Sequence, residues 1–377
     1  GRRTALTLKG FDMKKWIANL PLKRQKTLAV VLACVLIVLV ILLSVVWNAA
    51  EQKENRVETT GYAMGSVVQQ TVYGENAQAA SDAALQAVTE LENRISWRVE
   101  GSDVARLNDN AGVEWISIEP ETASLLSLCR EVAARTGGVF DPTVLPVSKL
   151  WDFTADEDTF QPPAQETIDR FLPYVNYEDL RVREDSASLK YHYMGIDLGS
   201  AGKGAACDTA LASYAESGAG GAVVAVGGSV GVFGEKPDGS AWSITVRNPY
   251  SEEDGETAMG VMEITEGFVS TSGTYEKQRE ADGVTYHHLI NANTGWPEDN
   301  ELVSVTVYMK ANGDGDQNGA LSDILATAAY LLGPEEGADL LRSYGAEGLF
   351  ISREKTVTMT EGFPAFSLLL DSYTLEE

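Results

Sequence analysis

The chain has 377 residues, 44% of them hydrophobic, and its 55 acidic side chains against 29 basic ones give a net charge of -26. That apolar fraction belongs to a globular protein with a sizeable core, while so acidic a body repels a polyphosphate backbone and excludes nucleic acid as a partner. Small anions are repelled at long range as well, so any phosphate site has to be built locally from a few donors and cations.

The charge is unevenly spread. Arg2, Arg3, Lys9, Lys14, Lys15, Lys23, Arg24 and Lys26 face only Asp12 in the first 26 residues. From Thr27 to Trp47 there are 21 residues without a charge, enough to cross a hydrocarbon core of roughly 30 Å. A basic cluster before such a run stays on the cytoplasmic side. The expected organisation is therefore a basic cytoplasmic tail (1–26), a single transmembrane anchor (27–47), a polar linker (48–58) and one domain (59–377) on the extracytoplasmic side of the cell membrane. A cleaved signal peptide would have a shorter apolar region ending in small residues, which Val45-Val46-Trp47 does not resemble. Val31-Leu32-Ala33-Cys34 looks like a lipidation box, yet the apolar run continues for 13 residues beyond Cys34. Met13-Lys14-Lys15 reads as a natural start, with residues 1–12 as extra upstream sequence.

Beyond the linker, residues 59–74 are strand-like, and apolar residues at helical spacing predict a helix over 76–95. A second helix spans 120–135 and stops at Thr136-Gly137-Gly138, as glycine after a last turn commonly does. Residues 154–168 form a loop leading into a short helix. Tyr191–Leu198 alternates like a strand, and 202–217 is helical. Strands follow at 222–226, 242–247, 260–264, 286–290 and 303–308, and helices at 320–332 and 335–343. Helices and strands interleave without a βαβ rhythm, and no internal repeat is evident. The fold class is α+β: one large domain of mixed helices and mainly antiparallel strands, preceded by one transmembrane helix. Cys34 falls in the anchor, while Cys129 and Cys207 fall in helices without metal spacing and are expected to be small buried hydrophobes.

Four segments combine glycines, acids and special side chains beyond the needs of a plain core. Thr136-Gly137-Gly138-Val139-Phe140-Asp141-Pro142-Thr143 offers free backbone amides and an acid. It could grip a nucleotide or simply end a helix. Gly195-Ile196-Asp197-Leu198-Gly199-Ser200-Ala201-Gly202-Lys203-Gly204 runs from a strand through a glycine-rich turn into a helix, a geometry that presents amides to an anion. It matches neither the P-loop nor the dinucleotide fingerprint. Tyr286-His287-His288-Leu289-Ile290-Asn291-Ala292-Asn293-Thr294-Gly295 holds two of the three histidines in the chain. On one strand they would point to opposite faces, and an imidazole of ordinary pKa near 6.5 suits proton transfer. In Ser322-Asp323-Ile324-Leu325-Ala326-Thr327, Asp323 and Thr327 are four apart on a helix. Such an oxygen pair can hold Mg²⁺.

Read together and in order, these segments resemble the FAD:protein FMN transferase family of ApbE-type flavin transferases. Ala63-Met64-Gly65 is similar to the family's opening motif, and Ile95-Ser96-Trp97 with Ser102-Asp103-Val104-Ala105-Arg106-Leu107-Asn108 to its next block. The segments above follow in family order with Val226-Gly227-Gly228-Ser229 and Thr271-Ser272-Gly273-Thr274-Tyr275, covering nearly everything from residue 60 onward. The resemblance implies transfer of FMN from FAD, the substrate, to a Ser or Thr hydroxyl of an exported or membrane partner protein, with Mg²⁺ as cofactor and AMP released. It implies that Met64, Trp97, Val139, Phe140, Asp141, Asp197, Lys203 and Ile290 contact FAD. Asp323, Thr327 and the carbonyl of Ser200 would hold Mg²⁺, and His288 would take the proton of the attacking hydroxyl.

The chain departs from the family pattern at a few places. Asn291-Ala292 replaces the usual Asp-Pro, Ser229 replaces an acidic or amide residue, Trp97 a commoner Tyr, and Ala326 an extra carboxylate of some members. The alternatives are an FAD pyrophosphatase giving FMN and AMP, and a non-catalytic surface flavin-binding protein; an intact His288 speaks against the latter, since storage needs no base. Asp282-Gly283-Val284-Thr285 begins like an acceptor motif and breaks at Tyr286, so self-modification is not expected.

Overall fold

The computed structural model describes residues 21, 31, 33–44, 55–154, 159–251, 257–311 and 317–376. Residues 1–54 and 55–377 are two separate units. In the first, Val31 and residues 33–44 are helical and exposed. Most of the basic tail, both ends of the apolar run and the start of the linker lie outside the described residues. Among the described residues, no helix is long and apolar enough to cross a membrane.

The second unit is built on a nine-stranded sheet whose strands lie side by side in the order in which they occur along the chain. They are β1 (Arg56–Ala63), β2 (Ser66–Tyr73), β3 (Gly221–Val226), β4 (Ser229–Gly234), β5 (Gly267–Gly273), β6 (Leu302–Met309), β7 (Glu347–Ser352), β8 (Thr356–Met359) and β9 (Thr374–Leu375). All neighbours are antiparallel except β8 and β9. Domain and sheet thus fit the expected α+β class with mainly antiparallel strands. The β1–β2 hairpin closes through Met64 and Gly65, both at positive φ (57° and 63°).

Helices α1 (Ala77–Ile95), α2 (Asp103–Asp109), α3 (Pro120–Arg135), α4 (Leu145–Trp151), α5 (Gln165–Phe171), α6 (Gly202–Ser217), α7 (Asn318–Leu332) and α8 (Pro334–Ser343) complete the frame. Alternate residues of a strand face opposite sides, and the sheet uses both. Phe268, Val305 and Val307 join the larger core with α1, α3, α6 and α7. Val269, Val303 and Leu349 join a second core under the small sheet formed by Trp242–Arg247, Ala258–Ile264 and Phe366–Leu368. Each fully buried aliphatic side chain contributes roughly 1.5–3 kcal/mol of transfer free energy. Cys129 and Cys207 are buried on α3 and α6, as small hydrophobes.

α7 is the central helix and is buried nearly all round, as expected of a helix without a solvent face. It crosses α6 at glycine. A Cβ on Gly204 would lie 2.0 Å from the carbonyl oxygen of Gly319, and one on Gly319 would lie 2.4 Å from that of Gly204. The backbones touch where side chains would otherwise hold them apart.

Two expected strands are corrected. Tyr191–Leu198 is not a strand; it contributes only an isolated bridge from Gly195 to Val144. Its burial does not alternate: Tyr191, His192 and Tyr193 are exposed and Met194, Gly195 and Ile196 are buried. Its backbone is paired by a side chain: Asn108 accepts from Ile196 N at 2.7 Å and donates to Ile196 O at 3.0 Å. The 286–290 strand is broken in two. Val284–His287 pairs with Gln278–Ala281, and Ile290–Asn291 pairs separately with Trp296–Pro297. β5, unforeseen from the sequence, is central; its two glycines and two serines dilute the strand-forming Phe268, Val269 and Thr271.

Alanine in place of glycine inside a helix ordinarily stabilises by about 1 kcal/mol. Gly204→Ala should instead destabilise by about 1–3 kcal/mol or more, because the added methyl overpacks the crossing. Urea unfolding of residues 55–377 measures it; an unchanged or raised midpoint would mean the two helices separate without cost.

Candidate functional site

The α6–α7 crossing places a carboxylate at a helix N-terminus. The amide of Gly204, in the first turn of α6, donates to Asp323 Oδ2 at 3.0 Å. The amides of Gly319 and Ala320, in the first turn of α7, donate to the two carboxylate oxygens of Asp208, each at 2.8 Å. Each helix caps the other, satisfying amides that have no partner within their own helix. Asp208 and Gly319 were not singled out from the sequence, and only the helix pairing reveals them.

Asp323 is buried, and Lys203 Nζ lies 3.8 Å from its Oδ1 and 3.3 Å from the carbonyl of Gly199, to which it donates. Asp323 and other acids nearby raise the Lys203 ammonium above its ordinary value, Asp323 having the largest effect, so the lysine is charged at neutral pH. Asp197 Oδ1 accepts from Gly199 N at 2.8 Å and shapes the turn before α6. The remaining polar groups of α7 are also paired. Ser322 meets Ser270 Oγ at 2.8 Å, Ser270 meets Ser229 Oγ at 3.1 Å, and Thr327 meets Ser272 Oγ at 3.0 Å. Ser229, which departs from the family pattern, is thus held inside this hydroxyl chain on β4 and β5.

A second cluster forms around the glycine turn after α3. Gly137 and Gly138 both take positive φ (60° and 80°), and Gly138 N closes the helix end on Ala133 O at 2.9 Å. Asp141 is buried and accepts from Thr143 N, the Thr143 hydroxyl and Tyr177 N at 2.6–2.7 Å. Burial pushes its carboxyl up to about 6, against the pull of those three donors. The loop carrying Asn291 is tied to this turn: Ala292 N donates to Val139 O at 3.0 Å and Asn293 Nδ2 to Gly137 O at 3.2 Å. Proline at 292, usual in the family, would lack that amide. Phe140 and Ile290 are buried and Val139 partly so.

Met64 reaches across from the β1–β2 turn, its Cε 2.7 Å from where a Cβ of Gly202 would stand. Trp97 follows α1, with the Arg98 guanidinium 4.2 Å and Lys149 Nζ 4.6 Å from its ring centroid. Lys149 also lines a cavity of about 330 Å³ together with Asn108, Leu145, Phe171, Tyr193 and Gly195.

The two histidines have different surroundings. His287 is buried at the end of its strand, with Nε2 3.1 Å from Glu298 O and 3.4 Å from the Tyr330 hydroxyl, and Nδ1 accepting from Leu289 N at 3.3 Å. His288 is half-buried, and its Nδ1 is buried without a hydrogen-bond partner. Burial, then the charges of Lys277 and Lys203, push His288 down to about 3; burial alone outweighs other effects at His287 and takes it down to about 4. The ordinary value near 6.5 expected from the sequence does not hold, because both rings are desolvated in the neutral form. Because Lys203 acts on His288 and ion-pairs with Asp323, the three belong to one electrostatic neighbourhood.

The donors at Asp323 suit a hard divalent cation. Oδ2 is held by Gly204, while Oδ1 has only the ammonium 3.8 Å away. Gly204 N turns to Asp323 and not to the Ser200 carbonyl four residues earlier, and Thr327 can donate to Ser272 and still offer a lone pair. These are carboxylate, hydroxyl and carbonyl oxygens, the set Mg²⁺ prefers. Among the described residues, no group of three or more His, Cys, Asp or Glu could hold a metal, so a cation here would complete its shell from water or substrate oxygens.

A family model described as the ApbE family matches residues 64–350. The chain is 27% identical over 319 residues to the FAD:protein FMN transferase of Escherichia coli, covering 83% of this chain and 88% of that protein. It is also 27% identical over 329 residues to that of Treponema pallidum, covering 82% and 88%. Among solved structures it is similar to the ApbE protein of Thermotoga maritima, with a TM-score of 0.71, 27% identity and coverage of 83% of this chain and 96% of that one. The flavin transferase ApbE from Vibrio cholerae shares the fold, with a TM-score of 0.69, 23% identity and coverage of 84% and 98%.

Both histidines are depressed below their unfolded value of 6.5, so below that pH the unfolded chain binds more protons than the folded one. Their contribution to stability is complete above about pH 6.5 and is lost as the pH falls toward 4 and 3. Asp141, raised to about 6, acts in the opposite sense as it protonates. Thermal unfolding between pH 7.5 and 4 should therefore show a fall in midpoint that is shallower in the His287→Gln/His288→Gln variant. Parallel curves would mean that the rings are not held neutral by the fold.

Proposed function

The chain belongs to the ApbE family, and from that membership we propose that it is an FAD:protein FMN transferase, moving FMN from FAD to a Ser or Thr hydroxyl of a partner protein with Mg²⁺ and releasing AMP. The observation that carries the proposal is the single electrostatic neighbourhood of Asp323, Lys203 and His288. A pyrophosphate needs local positive charge in so acidic a protein, and a hydroxyl nucleophile needs a base.

In this reading Lys203 and the first-turn amides of α6 draw the FAD pyrophosphate to the Gly199–Gly204 turn. Met64 and Trp97 flank the flavin end, and the Val139–Asp141 turn with Ile290 holds the rest of the FAD molecule. Asp323, Thr327 and the Ser200 carbonyl hold Mg²⁺, which when bound supplies Lewis-acid neutralisation of charge on the phosphoryl oxygens. The acceptor oxygen bonds to the FMN phosphorus, the bond from that phosphorus to the bridging oxygen breaks, and AMP leaves with that oxygen. His288, half-buried, takes the hydroxyl proton. The negative pyrophosphate offsets the lysine charges that depress the ring, returning its proton affinity toward the working range.

The test is incubation with FAD, Mg²⁺ and an acceptor domain carrying a candidate Ser or Thr, with mass spectrometry for an FMN adduct. A positioned base contributes about 10² to 10⁴ in rate, so His288→Ala should lower kcat by that factor with FAD affinity little changed. His287→Ala should act mainly by lowering stability. Asp323→Asn keeps an acceptor for Gly204 and loses the charge, so it should remove Mg²⁺ dependence from a folded protein. Free FMN and AMP without adduct would favour the pyrophosphatase; equal effects of the two histidine substitutions would sink the assignment of the base.

The same proposal places the domain outside the cytoplasm on an uncleaved anchor, because the uncharged run from Thr27 to Trp47 follows a basic cluster. Its partner is then an extracytoplasmic or membrane redox protein. Protease added to intact cells should digest the domain and spare the N-terminal tail; recovery of the whole protein in the cytosol contradicts this.

A further inference from the structure

Two glycines and a glutamate that the proposed reaction leaves unused converge on Lys203. Gly227 and Gly228 make the turn between β3 and β4. A Cβ on Gly227 would lie 3.1 Å from Lys203 Cδ, and a Cβ on Gly228 would lie 2.9 Å from Glu276 Oε1. The turn is bare where the lysine stem passes one residue and the carboxyl group the next. Glu276 ends the short 3-10 segment Thr274–Glu276 after β5 and is exposed. Its charge and those of Lys203 and Asp323 act on one another. Three carboxylates act on Lys203: Asp197 is engaged by the Gly199 amide, and the other two are of unlike character. Asp323 is buried and fixed by Gly204, with its Oδ1 3.8 Å from the ammonium; Glu276 is solvent-accessible and stands across the glycine turn.

An ammonium so placed covers the one oxygen of Asp323 that Gly204 leaves open, and a divalent cation approaching that oxygen would repel it. Lysine is a flexible stem with a compact charge and can swing. The ammonium needs a second counter-charge nearby if it is to yield without leaving a bare positive charge in the site. We propose that Glu276 is a positioning residue that receives the Lys203 ammonium when a divalent cation takes Asp323. The inference rests on the metal reading above and extends it to the Gly227-Gly228-Ser229 motif. A side chain at Gly227 would crowd Ser66 and the lysine stem, and one at Gly228 would crowd the glutamate carboxyl and the Thr271 carbonyl.

The test is Mn²⁺ binding, followed by the electron paramagnetic resonance of the free ion, with and without FAD and independently of turnover. Four proteins are compared: the native chain, Glu276→Gln, Lys203→Met and the double variant, each checked for folding by thermal unfolding. Loss of an outer partner of a metal site typically costs 10- to 100-fold in affinity, so Glu276→Gln should weaken Mn²⁺ binding by about tenfold or more. In the Lys203→Met background the same substitution should have little effect, since no ammonium remains to be received; this non-additivity is the signature of action through Lys203. Equal losses in both backgrounds would overturn the proposal, making Glu276 a direct attractor of the cation, and no loss in the native background would overturn it too. Failure of the native chain to bind Mn²⁺ in either condition removes the metal reading itself, and this inference with it.

Discussion

The site depends on one close contact, the backbone crossing of α6 and α7 at Gly204 and Gly319. Only there do the helices approach closely enough for Asp323 to accept the Gly204 amide and for Asp208 to accept those of Gly319 and Ala320. The reciprocal caps supply buried acceptors to amides that would otherwise be unsatisfied, and leaving such a group bare costs about 1–3 kcal/mol. They also fix where charge can sit. Asp323 is held at the N-terminal end of α6 by the Gly204 amide, and Lys203 is brought beside it by the same turn. Thr327 and Ser322 follow on α7, positioned by the β5 serines beneath them.

Against a net charge of -26, this corner of the molecule collects cations. Lys203 and Lys277 act on His288, and Arg98 and Lys149 lie over Trp97. Long-range repulsion of an anionic dinucleotide is countered by donors that act at contact distance, where the surrounding low dielectric strengthens them. The cost falls on His288, whose ring is kept neutral in the free protein by burial and by the lysines. In the proposed reaction a bound pyrophosphate would offset the lysine part of that cost and leave the larger part, burial.

Loop-to-loop bonds carry the rest of the geometry. Ala292 and Asn293 join the segment after His288 to the Gly137–Asp141 turn, and Asn108 pairs with Ile196 in place of a strand neighbour. At both places a local departure from regular structure is held by side chains or backbone from distant parts of the chain. Asn291 shows why a departure from the family pattern can be tolerated. Its side chain accepts from Asn293 N at 3.0 Å, as an aspartate would, and its amide donates to Glu298 at 2.6 Å, which an aspartate could not.

Much was legible in the sequence because it is written in local spacing. Helices α1, α3, α6, α7 and α8 show helical periodicity or glycine stops, and Asp323 and Thr327 share a face by the geometry of any α-helix. The order of the short motifs is itself a family signature, spread over the residues that the family model matches. Other features could not be read. β5 sends Phe268 and Val269 into the two cores on opposite faces, but glycine, serine and threonine at its other positions leave no run of alternating large apolar residues to detect. Tyr191–Leu198 reads as alternating along the chain and is not a strand: its exposed residues come first and its buried ones after, and Asn108 pairs with Ile196 where a neighbouring strand would. Adjacent histidines are equivalent by spacing; that one is tied to Glu298 and Tyr330 while the other is left with a bare nitrogen follows from which elements pack around each. The roles of Asp208, Gly319 and Glu276 depend on contacts between residues about 50 to 115 positions apart, such as 111 for Asp208 and Gly319. Local preference carries no information over such separations. Only chain packing brings those groups together.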